Sequence, residues 1–239
     1  MSGIYAAAMA GEFHRLQPEL QEYFSLEPGS GYFGVGTGVF DVAGCPQPWL
    51  RPLLAAAAGE EAFFPEYGED VPFRIENHAH LDPFGRPSLT ARREIMFPLR
   101  TRLFQDTTSL VEDDGGGRPR LVDYLGKYRR LATDLDVSAT GDGMLRGISR
   151  SSRILAKPLT IALPGVLDAR AYAQQWWDAE TRKHRIQVKV IQRQLGVVLV
   201  YAGHFDYRLV PYPPHEAAAH GVPGSLPAYA QPDRWDSRV

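Results

Sequence analysis

The sequence predicts a β-dominant α+β fold: a long curved antiparallel meander that forms an open β-barrel-like sheet, with N-terminal helices packed against it. Three observations carry this reading. Apolar and polar residues alternate along most segments after Val71, tight turns separate those segments, and helical spacing is confined to the first part of the chain. At 239 residues one barrel can form a single domain. The expected domain covers residues 1–210, helical over 1–60 and sheet over 71–210, with residues 211–239 as a Pro/Ala-rich tail.

The elements follow in order. Ile4, Ala8, Met9, Phe13 and Leu16 recur at helical spacing, so a helix is expected over Ser2–Arg15. Pro18 suits the first turn of a second short helix carrying Leu20 and Phe24. A third helix is expected from Pro48 to Ala58, stopped by Gly59. Between them Gly34, Gly36 and Gly38 alternate within Tyr32–Val42. That spacing is not a dinucleotide fingerprint, and it reads as a glycine-rich strand open to close approach by a helix or a ligand.

Strands are then expected at 71–81, 88–99, 102–112, 121–125, 128–139, 144–155, 168–178, 183–193 and 196–210. Asp82–Pro87, Asp113–Gly117 and Gly141–Gly143 supply turn residues between them. Sheet twist accumulates over so many strands and favours curling. A sheet wrapped around one long helix is the runner-up architecture. The tail after Val210 lacks periodicity and is expected to be extended and partly disordered unless Trp235 or Tyr229 docks.

Composition narrows the function classes. The formal net charge is −2 and no long basic run exists, which argues against a nucleic-acid or anionic-membrane partner. The single cysteine, Cys45, rules out an internal disulfide and a cysteine-based zinc site; between Gly44 and Pro46 it reads as a turn residue. The N-terminal stretch lacks a basic start and a cleavage pattern, and no apolar run reaches the length of a membrane span. The expectation is a cytoplasmic protein with no membrane partner; the oligomeric state is not legible.

The order VPFRIEN, DPFGRPSLT, a strand ending FPLR, VDYLG, Trp176-Trp177-Asp178, RIQVKV and VYAGHF resembles a bacterial domain-of-unknown-function family, number 4166. The resemblance runs from the first helix to about Val210, and DPFGR with the following Leu-Thr pair is its most specific part. Family members tend to carry Trp after that pair, where this chain has Ala91, and Arg-Glu-Trp where it has Gln175-Trp176-Trp177. The resemblance implies a shared fold and transfers no catalytic residue.

Three groups of residues are candidates for chemistry. On the strand 71–81, alternation puts Phe73, Ile75 and Ala79 on one face and Glu76, His78, His80 and Asp82 on the other. A His-x-His pair points both rings one way, as a metal site needs. Asp82 follows too soon and Glu94 too late for the usual third ligand, although His184 or His204 could be a late one. A solvated strand face is favoured, and no metal or cofactor is expected.

Arg93 falls on the side of Leu89, Ile95 and Phe97, and Asn77 on the apolar side of its own strand. A charge there needs a partner or an anionic ligand; otherwise it is an arginine snorkelling at an edge. Tyr172, Trp176, Trp177, Tyr201, Phe205 and Tyr207 form an aromatic group that either packs a core or lines a cavity for a flat molecule.

The expectation drawn from these groups is a cofactor-independent enzyme, a cyclase, isomerase or lyase, acting on an apolar small molecule, polycyclic ones included. Its catalytic candidates are Arg93, Asn77, His78, His80, Glu94 and His204, and its ligand-binding candidates Trp176, Trp177, Tyr201, Phe205 and Tyr207. The alternative is a non-catalytic carrier with the same cavity.

Overall fold

Apolar residues at every second strand position give the sheet one face to bury, and it buries that face by closing on itself. The computed structural model describes residues 3–112, 117–156, 158–164, 168–213 and 226–238. Its strands are β1 (Tyr32–Gly44), β2 (Tyr67–Leu81), β3 (Pro87–Phe97), β4 (Arg100–Val111), β5 (Arg120–Leu125) and β6 (Leu131–Ala139). They continue with β7 (Leu145–Ala156), β8 (Leu159–Ala162), β9 (Ala169–Asp178), β10 (Lys183–Gln192) and β11 (Gly196–Pro211).

Each barrel strand pairs antiparallel with its neighbour in the order β1 to β7, then β9, β10 and β11. The β1–β11 and β6–β7 pairings complete the ring, so the barrel is closed where the sequence suggested an open one. Register shifts at Phe40/Val42, Thr133/Leu135 and Val190/Ile191 supply the local bends that closure requires. β8 was not foreseen. It lies between Pro158 and Pro164 and pairs only with β7, which β9 leaves after Ile148↔Tyr172.

The glycine-rich strand is approached closely, but by its own neighbours. A Cβ on Gly34 would overlap the Tyr207 ring, and one on Gly36 would meet Ile75 and Phe205. Three short helices form: α1 (Ile4–Met9), α2 (Pro18–Phe24) and α3 (Arg51–Ala57); the second is short as expected, and the first and third are shorter than the spans expected for them. The first breaks at Ala10, whose φ is 49°, and 3-10 turns carry the chain to Arg15. The break lets Met9, Phe13 and Leu16 all reach the core.

The turns 82–86, 140–144 and 179–182 gather at one end of the barrel, and α1 and α2 cap it. Gln17 fastens this cap: its amide oxygen accepts the Trp177 N–H at 2.8 Å and its Nε2 donates to the Trp177 carbonyl at 3.2 Å. The connection 45–66 crosses the opposite end, where the Gln47 amide donates to the Leu195 carbonyl and Glu61 accepts the Gln105 N–H. β5 is short, so residues 60–62 take the place of a strand beside the first half of β4.

The tail after Val210 is partly placed. Residues 214–225 lie outside the described residues, as do 113–116 of the expected turn and the start of the N-terminal helix. Residues 226–238 dock on the outer face of the barrel, with Trp235 under the Arg129 guanidinium at 4.0 Å from the ring centre.

Candidate functional site

Packing inside the barrel is uneven. Phe40 and Phe73 stack at 3.8 Å between ring centres, and with Phe205, Phe64 and Phe97 they fill the side lined by β1, β2 and β11. Across from them a hollow of about 600 Å³ remains. Small residues on facing strands leave the room: Ala91 on β3, Gly147 on β7, and Ala171 and Ala173 on β9. Its walls are chiefly aliphatic, with Leu135, Leu145, Ile186, Val188 and Leu199 among them, and Tyr5, Tyr23 and Phe24 of the helical cap close one end.

A few polar groups interrupt this apolar lining, and they converge. Arg93 on β3 donates from Nη1 to Asp106 Oδ2 on β4 at 2.5 Å, with its guanidinium 5.1 Å from the Phe104 ring centre. In the ladders Arg93 lies opposite Phe104 and Asp106 opposite Leu125, so Arg93, Asp106 and Asp123 are successive diagonal neighbours on one face. Thr108 Oγ1 donates to Asp123 Oδ1 at 3.0 Å.

Burial works against the charge on Arg93, but Asp106 more than offsets it and the guanidinium stays firmly protonated. Burial pushes the Asp123 carboxyl up to about 7, and the charge of Asp106 adds to that. The bond from Thr108 and the positive charges of Arg93 and Arg129 oppose the rise only in part. The cavity thus holds a fixed ion pair beside a carboxyl group able to hold or release a proton near neutral pH. Asn77 donates to the Tyr23 hydroxyl at 3.0 Å, and burial raises the Tyr5, Tyr23 and Tyr201 hydroxyls above their usual range, Tyr201 to about 12.

Strand alternation divides the residues singled out from the sequence. Arg93, Asn77 and Tyr201 face the cavity. Phe205 and Tyr207 also point inward, but Tyr23 and His184 cover them. Trp177 packs against His184 near the helical cap, 5.1 Å between ring centres, and Trp176 takes the opposite face of β9.

His78, His80, Glu94 and His204 lie on the outside of the barrel and do not meet Arg93. Glu94 binds Arg92 at 2.8 Å, and His204 Nδ1 lies 3.6 Å from Asp41. A closed barrel has one interior, so a catalytic set drawn from both faces of its strands cannot converge. Asp106 and Asp123 were missed, although Leu121-Val-Asp-Tyr-Leu125 places an acid between two inward leucines. That is the same signal that singled out Arg93.

The two strand histidines are buried under the C-terminal segment. His78 Nδ1 lies 2.7 Å from the Tyr212 hydroxyl and its Nε2 3.5 Å from Glu76, while His80 Nε2 lies 3.0 Å from Thr90 Oγ1. His78 and Arg74 together hold the Glu76 carboxylate down to about 2. Among the described residues no group of three or more His, Cys, Asp or Glu side chains is placed to hold a metal ion.

The DPFGR corner is structural. Asp82 accepts the Phe84 and Arg86 N–H groups, both at 2.9 Å, and binds Arg86 Nε at 2.6 Å. Arg86 then donates to the Asp236 carbonyl at 2.9 Å, which anchors the C-terminal segment.

Residues 16–205 match the family model described as "Domain of unknown function (DUF4166)". A relative from Bacillus subtilis (strain 168), the uncharacterized protein YndH, is 28% identical over 206 residues, covering 86% of this chain and 97% of the relative. No solved structure matches the chain.

Proposed function

We propose that this chain, which belongs to the DUF4166 family, is a cofactor-independent enzyme that moves a proton on an apolar, flat or polycyclic small molecule, as isomerases and cyclases do. The observation that carries the reading is the placement of Asp123, with its raised carboxyl, beside the Arg93–Asp106 pair in an otherwise aliphatic hollow. A hollow of about 600 Å³ is within the range of small-molecule sites.

In this reading the protonated Asp123 gives its proton to one atom of the substrate. The bonding electrons shift, and the carboxylate recovers a proton from a neighbouring carbon, so the proton count is unchanged. Arg93, kept charged and fixed by Asp106, balances the negative charge left on Asp123 while the substrate holds the proton. Asn77, held by Tyr23, orients the molecule.

Deuterium exchange tests this. The protein is incubated in D2O buffer with an apolar extract of its own host, and retained molecules are analysed by mass. Wild type is expected to place deuterium on a carbon of a bound molecule and Asp123→Asn is not. Binding without exchange in both proteins would overturn the enzymatic reading in favour of a carrier.

A further inference from the structure

The wall of the cavity does not stop at the rim of the barrel. β9 leaves β7 after Ile148↔Tyr172, and the second half of β7, still paired with β6 as far as Ile154↔Leu131, takes β8 as its other neighbour to form a β7–β8 ribbon at the edge of the sheet. Ile154 lines the cavity, and it pairs across the ribbon with Ile161, while Ala156 pairs with Leu159. These residues share the inward face, yet Ile154, Ile161 and Leu159 are 38%, 47% and 62% exposed. On the other face the β7 half is covered, with Leu155 fully buried, and Arg234 and Arg238 of the C-terminal segment donate to the Leu155 and Leu159 carbonyls. An apolar strip is therefore splinted from behind and left bare in front, continuous with the inside of the barrel.

The same end carries a second apolar element. α3 and the turn before it read PWLRPLLAAA, yet α3 has no buried residue among those described. Trp49 is 61% and Leu53 66% exposed, and Leu99, in the β3–β4 turn of this end, is 94% exposed. Arg51 lies 5.7 Å from the centre of the Tyr67 ring beside them. Arg51, Arg170 and Arg193 have no carboxylate partner among the described residues, whereas Glu60 and Glu66 are taken up by Arg130 and Arg102. Trp and Tyr beside aliphatic tips and arginines without a carboxylate partner are the mixture that suits the boundary between acyl chains and headgroup phosphates.

We propose that this end of the barrel docks on a lipid bilayer, with the β7–β8 ribbon and the Trp49–Leu53 segment in the headgroup boundary, so that an apolar molecule passes from lipid to cavity without crossing water. The identity of the cargo rests on the proposed function; the docking does not. The contact is peripheral, since no helix among the described residues is long and apolar enough to cross a membrane. The barrel's outer wall also carries ion pairs such as Arg92–Glu94, Arg185–Asp41 and Lys183–Asp206, which do not suit acyl chains.

Flotation of the full chain with phosphatidylcholine vesicles tests this. Neutral lipid is chosen because Glu69 and Asp70 stay exposed at this end. Wild type is expected to float with the vesicles, and the pairs Leu159→Asp/Ile161→Asp and Trp49→Ser/Leu53→Ser to cut the bound fraction at least tenfold while remaining folded. Phe84→Ser, on an exposed residue of the opposite end, is expected to bind as wild type does. Ala173→Phe, which fills the cavity, is expected to float normally, so loss of cargo binding and loss of docking are read separately. Wild type that fails to float, ribbon variants that float as well as wild type, or a wild-type dimer that these variants dissociate would each overturn the proposal.

Discussion

A carboxyl group among leucines keeps its proton because ionising it there costs more than in water. For Asp123 this makes a pH-dependent statement about stability. Its folded value, about 7, lies above that of an unfolded aspartate, about 3.9. The folded state therefore binds the extra proton, and stability falls as pH rises from about 4 to about 7, then levels off. Asp123→Asn is expected to remove that fall, stabilising the protein at pH 8 by up to roughly 4 kcal/mol and leaving it nearly unchanged at pH 4. Denaturant unfolding at both pH values measures it; equal effects at both would refute the raised carboxyl.

Arg93 gives the companion prediction. With Asp106 as a fixed partner, Arg93→Met leaves a buried charge uncompensated and is expected to cost about 3–5 kcal/mol. The double variant Arg93→Met/Asp106→Leu should recover most of that loss in the same unfolding measurement. Both inward charges follow from alternation alone. Which partner Arg93 meets depends on the β3–β4 register, which sequence does not fix.

At the scale of elements, the strands were legible because turns and alternation agree, and β2 to β7 and β9 to β11 fall within a few residues of their expected bounds. β8 was not, since a strand of four residues is too short to show a period. The docked C-terminal segment was hidden for a different reason. It is held by arginine bonds to backbone carbonyls and by Trp235 on Arg129, not by an apolar periodic face. Beneath it lie polar strand residues that look solvated in sequence: Ser88, Thr90, Thr107, Ser109, His78 and His80 are all buried.

Ending the chain after residue 225 is expected to uncover these groups together with Val122, Tyr124 and Leu155. A fall in Tm of at least several degrees should follow, and Trp235→Ala should give a smaller fall in the same direction. Thermal unfolding of the two variants decides it. An unchanged Tm in both would mean that the segment contributes nothing to stability.

For the molecule as a whole, the barrel is packed solid along one wall and hollow along the other. That division rests on where small residues fall in facing strands, so closure had to be known before it could be seen. Ala173→Phe is expected to lower the affinity for an apolar fluorescent probe at least tenfold without lowering Tm, because its ring enters an existing space. Fluorescence titration checks the affinity; a severe loss of stability would indicate a filled core at that position.

The most direct test of an acid–base enzyme in this hollow compares what wild type and Asp123→Asn carry when each is purified from the protein's own host. Native mass spectrometry followed by chromatography of the released molecule is the measurement. Both proteins are predicted to retain an apolar molecule, with different isomers released: product from wild type and untransformed substrate from the variant. The same isomer from both, or empty cavities in both, would contradict the account.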